Sequence, residues 1–530
     1  MNSENNLISS IEGFERKRRY LGFFIGPVVF FVLLLMSTPE SFILNAKALL
    51  PASATNGQIL ELAGSTQVVL ALLVLMVIWW ITEAVPIPVT ALLPGIVLPL
   101  FHVTGYFQDK PFQFTAKNIL LNYSNPIIFL FLSGFLLAAA MQKWKLDKRL
   151  TLYILSRGNL ANNSKLILLG MMSISAFLSM WISNTATAAM LLPLGVGIIM
   201  QSEGKTGTSN FGKAIMLGIA WAASIGGVGT IIGTPPNGIC VSILSSSGIK
   251  QINFIDWMKF GVPYVIILIP IAWMILVKIF PPEIKKIKGG KELILKQKDE
   301  LGNWSRGEKL TVLAFVTVVL LWVTNPFWQY IFAAPVAEKL QWFDENIIAL
   351  TGALLLFLLP VNWKEQEFVL DWSDSKFVDW GTLLLFGGGI ALSDGMFKTG
   401  LANWIASSAV SLVGSPSTIV LVIIIVLLID FLTEVTSNTA VTSMMIPIVI
   451  SIARGTGDDP VALSVAATIA ASMAFMLPVA TPPNALVYGT GYIKITDMAK
   501  AGFVLDIIGW VFTVLIIYLV AHVLFGIIAM

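Results

Sequence analysis

Two short polar motifs with the same sequence lie within strongly apolar stretches of the chain. Ser-Asn-Thr occurs at residues 183–185 and again at 437–439. A shift of 254 residues also aligns the flanking sequences, FLSMWISNTATAAMLLP with FLTEVTSNTAVTSMMIP. Hydroxyl and amide groups at membrane depth cost free energy unless a hydrogen bond or a ligand satisfies them. Two matched polar clusters therefore indicate one composite binding site made from two halves, as in secondary transporters.

A second pair of related motifs follows the triplets. These are GGVGTIIGTPPNGI at 226–239 and MLPVATPPNALVYG at 476–489. Pro-Pro inside a span interrupts the helix, and interrupted helices present amides with positive and carbonyls with negative partial charge. Four such interruptions that meet can bind an anion through amides and hydroxyls, and Na⁺ through carbonyl oxygens. None of the four motifs contains Lys or Arg, which favours an anion bound together with Na⁺, although periodicity alone also permits a neutral polar substrate.

The composition is that of a membrane protein. Of 530 residues, 56% are hydrophobic and 12% charged, against about 25% charged in soluble domains. The length accommodates about ten spans of about 20 residues each. One cysteine and two histidines argue against a disulfide framework and a His/Cys metal site, and no organic cofactor is expected. The net charge of +3 gives no reason to expect a nucleic-acid partner.

The two halves of the chain are predicted to be inverted relative to each other. FLFLSGFLLAAA at 129–140 aligns with LLLFGGGIALSD at 383–394 under the same shift of 254. The second of these spans is the fifth predicted crossing after the first, and an odd step of this kind inverts the second half. Each triplet lies at the midpoint of an apolar run that it interrupts, and we interpret both runs as re-entrant hairpins. Segment 281–309 holds seven lysines and one arginine. By the positive-inside rule the N-terminus is cytoplasmic and the C-terminus external, in a bacterial inner or plasma membrane.

These motifs carry a resemblance to a known family. WWITEAVPIPVTALLP at 79–94, the two Ser-Asn-Thr hairpins and the paired Thr-Pro-Pro-Asn loops, in this order, resemble the divalent anion:sodium symporter family of di- and tricarboxylate transporters. The resemblance covers the chain from about residue 20. It implies an all-α polytopic membrane protein that forms a homodimer in the lipid bilayer. It also implies an elevator mechanism, in which a transport domain that carries both hairpins slides past a scaffold domain.

With this resemblance the chain divides into six regions. They are a cytoplasmic N-terminal segment (1–20), scaffold spans of the first half (21–142), a first transport region (143–280) with a hairpin at 165–201 and a broken helix at 212–248, a basic cytoplasmic loop (281–309), scaffold spans of the second half (310–397), and a second transport region (398–530) with a hairpin at 418–453, a broken helix at 461–490 and a last span at 501–529. We interpret the basic loop as a solvated determinant of topology.

The resemblance also implies which residues bind the ligands. The first sodium ion would be bound by Ser179, Ser183, Asn184 and the carbonyl of Gly233, and the second by Thr433, Thr436, Asn438 and the carbonyl of Ala480. The dicarboxylate would contact Asn184, Thr185, Thr234, Pro235, Asn438, Thr439, Thr481 and Pro482. The assignment obeys the internal repeat, since Ser179 aligns with Thr433.

Three other features have more than one interpretation. Residues 387–389, Gly-Gly-Gly, favour close helix packing over a loop that approaches a ligand. Glu434 either stabilises its hairpin or couples protons, and Glu83 is interpreted as structural.

The leading hypothesis is a sodium-driven carrier of C4-type dicarboxylates such as succinate, fumarate and malate. A sodium-independent dicarboxylate exchanger on the same fold is the alternative. An intramembrane enzyme would need a nucleophile and base or a metal cluster, none of which is visible in the sequence. An anion channel would need a continuous polar path, which closed hairpins do not suggest.

Overall fold

The described part of the chain is mostly helical. The structure, a computed structural model, describes residues 2–525 apart from 108–109, 158–162, 203, 205, 288 and 414–416. Its helices are α1 (Asn2–Leu35), α2 (Glu40–Leu49), α3 (Asn56–Thr82), α4 (Ile87–Thr90), α5 (Leu93–Leu100), α6 (Ala116–Leu120), α7 (Pro126–Lys143), α8 (Leu146–Leu155), α9 (Ser164–Ser179), α10 (Asn184–Gln201), α11 (Asn210–Gly227), α12 (Pro235–Ser246), α13 (Phe254–Ile279), α14 (Gly290–Glu300), α15 (Arg306–Thr324), α16 (Trp328–Ile331), α17 (Ala334–Leu340), α18 (Glu345–Leu358), α19 (Trp380–Lys398), α20 (Leu401–Val413), α21 (Thr418–Thr433), α22 (Asn438–Thr456), α23 (Pro460–Ala471), α24 (Pro482–Tyr488) and α25 (Ile495–Phe525).

Strands are few and short. Two antiparallel pairs join β1 (Thr104–Phe107) to β2 (Lys110–Gln113) and β3 (Pro360–Asn362) to β4 (Glu367–Phe368). Within the described part of the chain, eight helical segments are long and apolar enough to cross a membrane, and five shorter apolar helices accompany them. The predicted all-α polytopic fold is confirmed.

Each Ser-Asn-Thr triplet marks the junction of two helices. The first lies between α9 and α10, and the second between α21 and α22. Each serine precedes the second helix of its pair, where a short polar side chain can cap free backbone amides. Ser183 does so, because its hydroxyl accepts a hydrogen bond from the amide of Ala186 at 3.2 Å. The predicted interruption at each triplet is confirmed, whereas re-entry into the membrane stays a prediction.

Each Pro-Pro motif starts a helix after a break. α11 ends at Gly227 and α12 begins at Pro235, while α23 ends at Ala471 and α24 begins at Pro482. Proline is well suited to the first position of a helix, because it lacks the amide hydrogen that would otherwise be unpaired there. The two predicted broken helices are therefore present.

The triple glycine lies where α19 packs closely on its neighbours. A Cβ atom at Gly388 would lie 2.2 Å from the carbonyl oxygen of Ala91, and one at Gly387 would lie 2.3 Å from the ring of Tyr123. Only glycine permits these approaches without a shift of the backbone or ring. The packing interpretation of this motif is confirmed.

The basic segment 281–309 is partly packed. Ile294 of α14 is fully buried, and the carboxylate of Glu283 accepts a hydrogen bond from the amide of Phe211 at 2.8 Å. The interpretation of this segment as a solvated loop is wrong for these parts. Most residues of α14 are charged or polar, so its few apolar residues do not produce a clear pattern of burial in the sequence.

Candidate functional site

The two hairpin tips and the two helix breaks line one cavity of about 620 Å³. From these four segments the lining residues are Ser183, Asn184, Thr185, Ile232, Gly233, Thr234, Pro235, Ser437, Asn438, Thr439, Pro478, Val479, Ala480, Thr481, Pro482, Pro483 and Ala485. All eight residues predicted to contact the dicarboxylate are among them. The structure therefore brings together, around one space, segments that lie about 250 residues apart in the sequence.

The remaining lining residues of the cavity, which we name the facing wall, belong to other elements. It consists of Glu83, Ile87, Pro88, Phe135, Asp379, Gly381, Thr382 and Leu385. None of the described residues that line the cavity is Lys or Arg, and the facing wall contributes two carboxylates. The carboxylate of Glu83 is paired with the guanidinium groups of Arg19 at 3.2 Å and Arg18 at 3.9 Å. The other, Asp379, accepts hydrogen bonds from the amide and hydroxyl of Thr382 at 3.0 and 2.6 Å.

The two hairpin tips contain the same internal hydrogen bond. The hydroxyl of Ser179 donates to Oδ1 of Asn184 at 2.6 Å, and the hydroxyl of Thr433 donates to Oδ1 of Asn438 at 2.7 Å. Both hydroxyls are buried behind the asparagine. Each bond places two oxygen atoms side by side, as a hard cation requires, and leaves the asparagine Nδ2 donor for an anion. The repeat detected in the sequence is thus a repeat of contacts.

Each tip is also joined to the break of its own half, by different groups. In the first half the hydroxyl of Thr230 donates to the carbonyl of Met180 at 2.5 Å. In the second half the carboxylate of Glu434, at the position aligned with Met180, accepts from the amides of Met476 and Leu477 at 2.9 and 3.0 Å. This geometry favours the stabilising role for Glu434.

The predicted ligands of the first sodium ion lie close together. Asn184 and Gly233 line the cavity. A Cβ atom at Gly233 would lie 3.1 Å from the carbonyl oxygen of Ser179, and one at Gly227 would lie 2.7 Å from Oδ1 of Asn184. The first tip and the first break are therefore in direct contact. Ser183 lines the cavity beside them.

The predicted ligands of the second sodium ion are less compactly placed. Asn438 and Ala480 line the cavity, whereas Thr433 and Thr436 are buried behind it. Thr433 also donates to the carbonyl of Ala471 at 2.9 Å, where the second break begins. The hydroxyl of Thr436 instead donates to the carbonyl of Trp80 in α3 at 3.1 Å, away from the break.

Two asparagines that the sequence interpretation left without a role close the breaks. The side-chain amide of Asn237 donates to the carbonyls of Gly227 and Thr230 at 2.9 and 2.7 Å. That of Asn484 donates to the carbonyls of Ala474 and Leu477 at 2.9 and 3.0 Å. Both asparagines are fully buried. The repeated asparagine after Pro-Pro was the available signal, since a break leaves carbonyls that need donors.

The described residues suggest oxygen atoms of uncharged groups as cation ligands. No group of three or more His, Cys, Asp and Glu among them is arranged to hold a metal ion. Hydroxyl, amide and backbone oxygens near the tips and breaks are the remaining candidates, and these suit an alkali cation better than a transition metal.

Comparison with known proteins shows the family of the chain. Residues 42–527 match the family model described as the sodium:sulfate symporter transmembrane region. The sodium-dependent dicarboxylate transporter SdcS of Staphylococcus saprophyticus is 38% identical over 518 residues, which cover 96% of this chain and 92% of that protein. SdcS of Staphylococcus aureus is 37% identical over 520 residues, with the same coverage.

Solved structures show the same fold at low sequence identity. The Alcanivorax borkumensis YdaH transporter superimposes with a TM-score of 0.54 at 12% identity, covering 84% of this chain and 98% of that one. Neisseria gonorrhoeae MtrF gives a TM-score of 0.53 at 14% identity, covering 90% and 97%. These likenesses concern the fold alone.

Proposed function

We propose, because the chain belongs to the sodium:sulfate symporter family, that it carries C4-type dicarboxylates across the membrane together with sodium ions. Family membership makes it a multi-pass membrane transporter rather than an enzyme. The SdcS proteins, which are named sodium-dependent dicarboxylate transporters, support the substrate class and the coupling ion. The observation that carries the proposal is the pair of matched contacts, Ser179 with Asn184 and Thr433 with Asn438, beside one cavity.

The charge of the cavity supports sodium coupling. A dicarboxylate there would meet neutral donors from the tips and breaks, while the facing wall contributes two carboxylates. Sodium ions bound behind Asn184 and Asn438 would supply the positive charge that the lining residues lack. In this mechanism sodium binds before the dicarboxylate, because the anion binds weakly to a site without fixed positive charge.

The movement we propose is an elevator. The two hairpins and two broken helices form the transport domain, and the regions at 21–142 and 310–397 form the scaffold of a homodimer. Hydrogen bonds that join each tip to its break support movement of the four segments as one body. The indole of Trp221 in the first half also donates to the carbonyl of Phe475 in the second break at 3.3 Å.

Uptake of labelled succinate into proteoliposomes tests the proposal. Uptake into empty vesicles should require an inward sodium gradient. Asn184→Ala and Asn438→Ala should each abolish or strongly impair it. The control is Ser175→Ala, which removes a buried hydrogen bond to the carbonyl of Ile219 outside the cavity and should retain uptake.

Two outcomes would contradict the proposal. Wild-type rates in either asparagine variant would overturn the composite site. Uptake that ignores sodium but needs internal dicarboxylate would make the protein an exchanger, and the two sodium sites would then have to be withdrawn.

A further inference from the structure

Arg18 of α1 contacts two elements that lie beside the candidate cavity. One guanidinium nitrogen donates to the backbone carbonyl of Val435 at 3.2 Å, in the tip of the second hairpin. Another lies 3.9 Å from the carboxylate of Glu83 on the facing wall. The Arg18 side chain is 21% exposed. One partly buried side chain therefore bridges the second tip and the end of α3, which the proposed mechanism assigns to bodies that move past each other.

The backbone conformation of Glu83 indicates that its carboxylate has a specific role at the end of α3. Glu83 ends α3 in a left-handed conformation with φ of 49°. Glycine or asparagine normally occupies this position, because other side chains are strained in it. The ion pairs of the Glu83 carboxylate with Arg18 and Arg19 offset the strain of this conformation. Strained residues of this kind concentrate at functional sites and switch regions.

Among the described residues, the contact between Arg18 and the second tip has no equivalent in the first tip. Val435 aligns with Trp181 under the shift of 254. Trp181 is buried, and its ring packs edge-on at 5.2 Å against Phe315 of α15. Val435 is 45% exposed and offers only its carbonyl to Arg18. The first tip is thus held by apolar packing, and the second by polar contacts: the partly exposed one with Arg18 and the buried hydrogen bond from Thr436 to the carbonyl of Trp80.

We propose that Arg18 is a latch that holds the second hairpin tip against α3 and so retains the arrangement in which the cavity is bounded by Glu83. The inference rests on the proposed function, since it requires the tip to move relative to α3 during transport. The latch breaks whenever the transport domain moves, and it forms again on return. Arg18 is therefore a residue that sets the balance between two arrangements and does not touch the substrate.

Chemical labelling of one cysteine tests the latch. The reporter is Val479→Cys, in the second break, where the side chain lines the cavity and is 53% exposed. The single natural cysteine, Cys240, is fully buried and is replaced by alanine. A membrane-impermeant maleimide is applied to inside-out and to right-side-out vesicles. The wild type then shows from which side the cavity is reached.

The matched pair of variants is Arg18→Ala and Arg19→Ala. Both remove one positive charge from the same helical turn and one ion pair to Glu83, but only Arg18 also contacts the tip. Arg18→Ala should slow labelling from the accessible side by about five- to tenfold, the effect of losing one charge-assisted hydrogen bond. Arg19→Ala should change the rate by less than about twofold, as expected of a lone exposed ion pair.

Conservative replacements separate the latch from a folding defect. Arg18→Lys should keep most of the wild-type rate, and Arg18→Gln, which keeps a donor but loses the charge, should be intermediate. Equal rates in Arg18→Ala and Arg19→Ala, with folded protein in both, would overturn the latch. Succinate uptake by the wild type is measured separately. If uptake fails, the proposed function is overturned, while the labelling rates still decide the latch.

Discussion

Replacement of the two break-closing asparagines by leucine gives a stringent test of how the site is built. Leucine has the same branching as asparagine and fits the same space, but it donates no hydrogen bond. Asn237→Leu leaves the carbonyl of Gly227 without its donor in a buried position, and Asn484→Leu does the same to the carbonyl of Ala474. The carbonyls of Thr230 and Leu477 lose one donor each but still accept from the amides of Gly233 and Ala480. At about 1–3 kcal/mol for one unsatisfied buried group, each variant loses about 1–3 kcal/mol of stabilisation.

This loss falls on the segments that bear the carbonyls of Gly233 and Ala480. A tenfold rise in the sodium concentration for half-maximal binding corresponds to only about 1.4 kcal/mol of this lost stabilisation. We therefore expect both variants to need about tenfold more sodium for half-maximal uptake and for half-maximal thermal stabilisation.

The assay is a sodium titration at constant ionic strength, with purified protein for the thermal midpoint and proteoliposomes for uptake. The matched control is Ser242→Ala, which removes a buried hydroxyl of α12 that bonds only the carbonyl of Ile239 in its own helix. If the asparagine variants show the same sodium dependence as this control, the break geometry does not determine the sodium sites. The role we assign to the two asparagines would then be wrong.

Three further outcomes are expected. Thr433→Val removes a buried hydroxyl of the second proposed sodium site, so it should raise the half-maximal sodium concentration more than it lowers the yield of folded protein; an unchanged sodium dependence would remove Thr433 from the site. Gly388→Ala should lower the thermal midpoint more than Gly389→Ala, because the new Cβ atoms lie 2.2 Å from the Ala91 carbonyl and 3.3 Å from the nearest side chain; equal midpoints would show that α19 can shift freely. Burial raises the pKa of the Asp147 carboxyl to about 6, so its folded-state stabilisation is present below about pH 4 and is lost as the pH rises to about 6; Asp147→Asn should therefore raise the thermal midpoint at neutral pH but not at about pH 4.

The parts of the site that repeat in the sequence were predictable, and the parts that do not repeat were missed. The shift of 254 residues was sufficient to predict that both triplets interrupt helices and that the two halves contribute matched groups. Pro-Pro predicted both breaks because its effect on a helix is local. The facing wall has no such signal. Glu83 and Asp379 reach it from separate helix ends nearly 300 residues apart.

Two contacts show why the remainder needed a structure. Arg18 and Val435 are 417 residues apart, and neither residue belongs to a motif that predicts the other. Ile294 lies in a run of only three apolar residues, 293–295, with charged residues on both sides, so the pattern of 281–309 suggested full solvation. Its burial depends on where α14 packs in the folded chain, which the local sequence does not determine.

The differences between the two halves matter as much as their likeness. In the proposed mechanism, identical inverted halves would make the two end positions of the transport domain equal in free energy in the absence of a gradient. Four of the residues that would bind sodium repeat, Ser179 with Thr433 and Asn184 with Asn438. The groups beside them differ, because Trp181 packs on an aromatic ring where Val435 is bridged to Arg18. Contacts that do not repeat therefore set which position the empty carrier prefers, and they can change that preference without altering the chemistry of binding.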